Sequence, residues 1–289
     1  MSVSACSAPD VPGKPLVYRK TGKTGLVMEV FFPSGWRMTD KRPAILFFHG
    51  GGFETGTRGQ LAYQARYFAS RGLVTATADY RTQEAYGTLP HKSIADGREA
   101  IRFLKRHAAT LGVDARRIIV GGGSAGGTIA TNAAFSPDYD EPGDDIKVSC
   151  RPAALLLFNP VLVLQPKHLA ALKEVPALKD PVRLAQMQDI LEPIPYVRKG
   201  APPTILFYGT DDPALKGGQQ FLNKSVALGN KADCWTAAGQ SHGFFNDAPW
   251  RDATLILADR FLVTHGFLQG KSTIKPVKVT MVKVKQGKT

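Results

Sequence analysis

Short apolar runs of strand length alternate with amphipathic helical stretches along nearly the whole chain, an order that builds a mostly parallel sheet with helices on both faces. Ala44-Ile-Leu-Phe-Phe48 is apolar without interruption, as expected of a strand covered on both sides. Further strands are expected at 73–78, 118–120, 154–158, 204–208 and, last, 232–236. Ahead of them, 16–20 and 26–32 are joined by the turn-forming Thr21-Gly-Lys-Thr-Gly25 and are expected to pair antiparallel. Helices are expected at 60–71, 93–112, 125–135, 217–228 and 248–267. The second of these carries Ile94, Ile101, Leu104, Ala108 and Leu111 on one stripe, the spacing of a helix packed on a sheet. Between 164 and 200 the strand pattern lapses into short pieces broken by Pro166, Pro176, Pro181, Pro193 and Pro195, read as a small cap insertion.

A single domain of this class can account for all 289 residues, 1–289, with a basic tail at 271–289. Hydrophobic residues at 43% and charged residues at 21% exclude the collagen-like and disordered classes. The longest apolar stretch, 153–164, is interrupted by Asn159 and Pro160 and falls short of the roughly 18 residues a membrane span needs. A soluble protein is expected, cytoplasmic or exported.

The net charge of +13 invites an anionic partner, but its distribution argues against nucleic acid. Lys271, Lys275, Lys278, Lys283, Lys285 and Lys288 lie in a tail without acidic residues, and the rest of the chain carries +7. The alternation of apolar and basic residues over 277–285 allows an edge strand, a tether or a linker, with a plain solvated extension preferred. No charged segment followed by an apolar one opens the chain, so no signal peptide is read as written. Val3-Ser-Ala-Cys6 resembles the end of a bacterial lipoprotein signal, a match that chance also produces. Cys6, Cys150 and Cys234 have no metal-like spacing, and no metal or cofactor site is expected from them.

Gly122-Gly-Ser-Ala-Gly126 stands where a buried strand gives way to a helix. In a G-x-S-x-G turn the small neighbours permit a strained backbone that projects the serine hydroxyl from the sheet edge. Gly121-Gly-Gly-Ser-Ala-Gly126 also matches the dinucleotide pattern G-x-G-x-x-G. That reading fails because the acidic residues about 20 positions on, Asp138, Asp140, Glu141, Asp144 and Asp145, occupy a loop and not a strand end. The acidic loop lacks EF-hand spacing and is read as a solvated turn.

A serine nucleophile needs a base and an orienting carboxylate. Gly209-Thr-Asp-Asp-Pro213 and Gly239-Gln-Ser-His-Gly243 follow the last two expected strands, giving the order Ser124, Asp212, His242. Asp212 is preferred to Asp211 because it stands farther beyond the strand end, with Pro213 stiffening the turn. His242 is expected to take the proton of Ser124 and Asp212 to hold its ring. His49-Gly-Gly-Gly52 closes another strand, and the N–H groups of Gly51, Gly52 and Ala125 are the expected oxyanion hole, with His49 structural. Phe53, Phe245 and Trp250 adjoin these motifs and are the expected pocket residues.

On His49-Gly-Gly-Gly-Phe53, Asp79-Tyr-Arg81 with Leu89-Pro90 and Asp96, Arg117-Ile-Ile-Val120 with Gly122-Gly-Ser-Ala-Gly-Gly127, Gly209-Thr-Asp-Asp-Pro213 and His242-Gly-Phe244, the chain resembles the α/β-hydrolases of the hormone-sensitive-lipase-like esterase group over about 26–268. Only 48 residues precede the His-Gly-Gly-Gly motif, and Gly123 stands where many members have Asp. The resemblance therefore leans toward compact bacterial esterases, including those like acetylxylan and feruloyl esterases. It implies the α/β-hydrolase fold and cofactor-free hydrolysis of short-chain carboxylic esters, acetyl or feruloyl esters of carbohydrates among them. The alternatives are a peptidase or amidase on the same triad, which lacks a propeller-sized region here, and a silent binding protein, expected to have lost a triad member. The oligomeric state is left open.

Overall fold

The computed structural model describes residues 10–22, 24–137 and 139–285. Two strands open it, β1 (Gly13–Thr21) and β2 (Thr24–Phe31), paired antiparallel. β3 (Arg42–Phe48) leads through a 3-10 turn into α1 (Ala62–Ser70), which stops at Gly72 in the left-handed region (φ 101°) before β4 (Val74–Ala78). A single turn, α2 (Gln83–Tyr86), precedes α3 (Pro90–Arg106), β5 (Val113–Gly123), α4 (Ala125–Phe135) and β6 (Ala154–Phe158). Two short helices follow, α5 (Pro166–Glu174) and α6 (Pro181–Leu191), where the prolines punctuate the sequence. The chain then runs through β7 (Thr204–Gly209), α7 (Leu215–Ala227), β8 (Ala232–Ala237), α8 (Trp250–Thr264) and β9 (Met281–Lys283).

Among the described residues one sheet has the order β1-β2-β4-β3-β5-β6-β7-β8-β9, parallel from β4 to β8 and antiparallel at both margins. Its two faces are read directly from the pleat. Ala44, Leu46 and Phe48 of β3 pack with Ile94 and Ile101 of α3, Ile129 of α4 and Phe221 of α7, while Ile45 and Phe47 pack with Phe68 of α1 and Leu255 of α8. Covering both faces explains the uninterrupted apolar run. No helix among the described residues is long and apolar enough to cross a membrane.

Three expectations need correction. α3 starts earlier than residue 93, with Pro90 preset for a first helical turn, and ends at Arg106 instead of 112. Ala108 and Leu111 are buried in the turns that follow, so the apolar stripe outlasts the helix. The strand 232–236 is not the last, because part of the tail forms β9 along the outer edge of β8. Lys283 Nζ lies 2.7 Å from Asp233, and the Val284 N–H donates to the Cys234 carbonyl at 2.8 Å. An otherwise unpaired sheet edge is covered in this way. Cys150 and Cys234 are buried free thiols, whereas Cys6 and the Val3–Cys6 match lie outside the described residues.

The third correction concerns the acidic loop, of which Asp138 is outside the described residues. Asp145 is exposed, but Asp140, Glu141 and Asp144 are ion-paired and not solvated. Asp140 accepts from Arg98 Nε and Arg102 Nη1, both at 2.7 Å, and Asp144 accepts from Arg19 Nη2 at 2.7 Å. Glu141 lies 2.9 Å from Arg81, which also grips Asp96 at 2.7 Å. The loop is thus an ion-paired clamp joining β1, α3 and the end of β4. Burial pushes the Asp140 carboxyl up, but hydrogen bonds and charge from Arg102 and Arg98 outweigh it and hold it at about 2, below the ordinary 3.8. A lowered folded value means that this stability is complete above about pH 4 and is lost as pH falls toward 2. Asp140→Asn is expected to cost about 3 to 5 kcal/mol at pH 7, since two buried guanidiniums lose their counter-charge. Urea unfolding from pH 7 to 2 checks it, and the gap to the parent protein should narrow only below about pH 4.

Candidate active site

The site sits where β3, β5, β7 and β8 end on the same side of the sheet, as parallel strands dictate. At the end of β5 the backbone is too crowded for side chains. A Cβ on Gly122 would come 2.4 Å from the Gly126 carbonyl carbon, and one on Gly126 would come 2.1 Å from the Phe48 carbonyl oxygen. Ser124 between them adopts φ 50° and ψ −117°, with its N–H donating to the Phe158 carbonyl at 2.9 Å. This is the strained elbow the motif implied, at the N-terminus of α4.

His242 reaches the same point from the loop after β8. Its Nε2 is 2.8 Å from Ser124 Oγ, and its Nδ1 is 2.9 Å from Asp212 Oδ2. The Asp212 carboxylate can only accept, so the network assigns the proton to Nδ1 and leaves Nε2 to accept from the serine hydroxyl. Asp212 is buried at 3% exposure, and its Oδ1 accepts from the Ala214 N–H at 2.9 Å. Asp211 is exposed and, among the described residues, accepts only from Thr210 Oγ1.

The loop after β3 turns left-handed at Gly51, Gly52 and Phe53, with φ of 113°, 65° and 66°. Buried His49 braces it, stacked on Tyr80 at 4.1 Å, and the Tyr80 hydroxyl donates to the His49 carbonyl at 3.0 Å. Burial holds the His49 imidazole below its ordinary value, keeping it neutral within the stack. The N–H groups of Gly51 and Gly52 donate to no protein acceptor among the described residues. The N–H of Ala125, the first residue of α4, has no intrahelical acceptor. Gly52 and Ala125 border the cavity with Ser124, whereas Gly51 is exposed and does not line it, its carbonyl accepting from the Glu54 and Thr55 N–H groups.

That cavity, about 310 Å³, is roofed by the segment between β6 and β7, with Leu164, Leu172, Val175 and Leu191 facing Phe53 and Leu89. Lys167, His168 and Glu54 add polar groups to its lining. A thermophilic esterase of Thermogutta terrifontis, Est2, solved with propionate bound, matches this fold with a TM-score of 0.81. It is 36% identical, over 91% of this chain and 98% of its own. The chain belongs to the α/β-hydrolase esterases. The Thermogutta esterase has also been solved with butyrate bound and phosphorylated by paraoxon, at TM-scores of 0.81 and 0.80. The BD-FAE family model matches residues 28–159, from β2 to just past β6. Gut esterase 1 of Caenorhabditis elegans is 28% identical over 129 residues, and the probable carboxylic ester hydrolase LipM of Mycobacterium tuberculosis is 29% identical over 187. These matches cover 40% and 61% of this chain but only 22% and 42% of the relatives, so it spans less than half of either.

In this chain two expected pocket residues lie elsewhere. Phe245 is 1% exposed and packs on Phe158 at 5.1 Å, filling the space that the missing side chain of Gly123 leaves. Trp250 heads α8 edge-on to Phe244 at 6.2 Å and does not border the cavity. Phe53 does. The roof residues were missed because nothing local separates a Leu facing a cavity from a Leu in the core. Asn159, buried just after β6 and within 3.4 Å of Asp212 Oδ2, was not singled out either, although a polar residue closing an apolar strand beside Pro160 was a usable signal.

Proposed function

We propose that the chain hydrolyses short-chain carboxylic esters through an acyl-enzyme on Ser124. The observation that carries this reading is the unbroken line from Ser124 Oγ through His242 to Asp212, at 2.8 and 2.9 Å, opening on an apolar cavity beside unengaged backbone N–H groups. Ser124 Oγ attacks the ester carbonyl carbon while His242 Nε2 takes its proton, and Asp212 stabilises the resulting imidazolium. The oxyanion is met by the N–H groups of Gly52 and Ala125, which border the cavity; each such donor contributes on the order of a hundredfold to a thousandfold in rate. His242 then returns the proton to the departing alcohol oxygen. Water repeats the attack on acyl-Ser124, releasing the acid and restoring the serine.

Acyl length follows from the space available. A cavity of about 310 Å³ is at the low end of the ~300–1,000 Å³ usual for ligand sites. Each methylene contributes about 0.8 kcal/mol only where there is apolar wall to bury it against. Propionate and butyrate, held by the Thermogutta esterase, are acids of this size. Across p-nitrophenyl esters from C2 to C12, kcat/KM is expected to peak between C2 and C4; an optimum at C8 or beyond would overturn the short-chain reading. Acetylated xylan and methyl ferulate in the same panel test the carbohydrate esters.

A further inference from the structure

Asn159 follows β6, is fully buried and adopts φ 37°, a conformation asparagine tolerates better than most residues. Its own N–H donates to the Phe207 carbonyl of β7 at 2.7 Å, while the preceding Phe158 carbonyl accepts from Ser124. The residue is therefore stitched between the strand that ends near Asp212 and the turn that carries Ser124. A buried amide is costly unless both of its ends are paired.

One orientation of the side chain pairs both. Its NH2 donates to the Phe158 carbonyl at 2.7 Å, and its oxygen accepts from the Gly243 N–H at 2.9 Å. The opposite orientation turns NH2 toward donors and gains only a 3.4 Å approach to Asp212. In the paired orientation the oxygen lies 2.7 Å from His242 Nδ1 and 3.3 Å from Nε2. Closeness to both nitrogens places it against the ring itself, whereas Asp212 Oδ2 takes the Nδ1 proton at 2.9 Å.

We propose that Asn159 is a positioning residue for ester hydrolysis: it pins the His242 loop through Gly243 and sets a carbonyl dipole against the ring that stabilises the imidazolium formed in the reaction. The inference rests on His242 being the base. The other charged and titratable groups facing this histidine are Asp212 and, on the cavity side, His168, Lys167 and Glu54. All of them stay in place in the variants below, so a difference between pH profiles reports on position 159.

The test is the pH dependence of kcat and kcat/KM for p-nitrophenyl acetate in Asn159→Gly and Asn159→Asp. Glycine takes the positive φ without strain and removes the side chain, amide included. It is expected to lower kcat by about 10- to 100-fold, less than the roughly 10² to 10⁴ that the whole of acid–base catalysis contributes because His242 itself remains, with KM within about twofold. The acid limb of the profile should move to lower pH by about half a unit or more, because the imidazolium loses a favourable dipole. Aspartate keeps the acceptor and adds charge, so its acid limb should move to higher pH. Profiles that superimpose on that of the parent protein after scaling would assign Asn159 a purely structural role and overturn the proposal. If the glycine variant does not fold, an unmoved limb in Asn159→Asp overturns it equally. Activity surviving in Ser124→Ala or His242→Ala would instead sink the esterase mechanism, leaving the two failures distinguishable.

Discussion

Ser124→Ala is expected to lower kcat for p-nitrophenyl acetate by about 10⁶-fold, the scale at which loss of a serine nucleophile is felt when the rest of its hydrogen-bonded unit remains. The residual rate, about 10³ to 10⁴ over water, is what backbone donors and binding alone supply. The fold should survive. Ser124 already bears a Cβ at φ 50°, so alanine adds no backbone strain, and among the described residues its Oγ makes only the 2.8 Å hydrogen bond to His242. Activity with a purified, thermally intact variant is the measurement. Retention of more than a few per cent would remove Ser124 from the role of nucleophile.

The second large effect separates two adjacent aspartates. Asp212→Asn is expected to cost about 10⁴-fold in kcat, because an amide NH2 facing Nδ1 forces the imidazole into its other tautomer. Nε2 then carries the proton and cannot accept one from Ser124. Asp211→Asn should change the rate less than about twofold, as an exposed substitution away from the site. Steady-state kinetics of the pair decides it: the reverse ranking would make Asp211 the orienting acid.

Much of the site is legible in the sequence because each part is a local event at a strand end. Glycines crowded around Ser124, the glycine run after His49, Asp-Asp-Pro after one strand and His-Gly-Phe after another are all short-range signals. A parallel sheet brings such ends to one edge without further instruction. The strand alternation was equally legible, since covering both faces of a strand demands an apolar run.

Neighbouring residues alone thus specify the class of fold and the residue types gathered at the carboxyl ends of the strands. The tertiary structure decided how those residues face one another. It turned Asp212 and not Asp211 toward His242, sent Phe245 beneath Gly123 and left Phe53 at the cavity. It also folded part of the tail against β8, and it clamped Asp140 with arginines 38 and 42 residues away. Asn159 meets His242 and Gly243 only once β6 and β8 lie in one sheet. One cause underlies all of these. Backbone preference and burial pattern are written in neighbouring residues, whereas a side chain's partner across the fold depends on packing that no local stretch encodes.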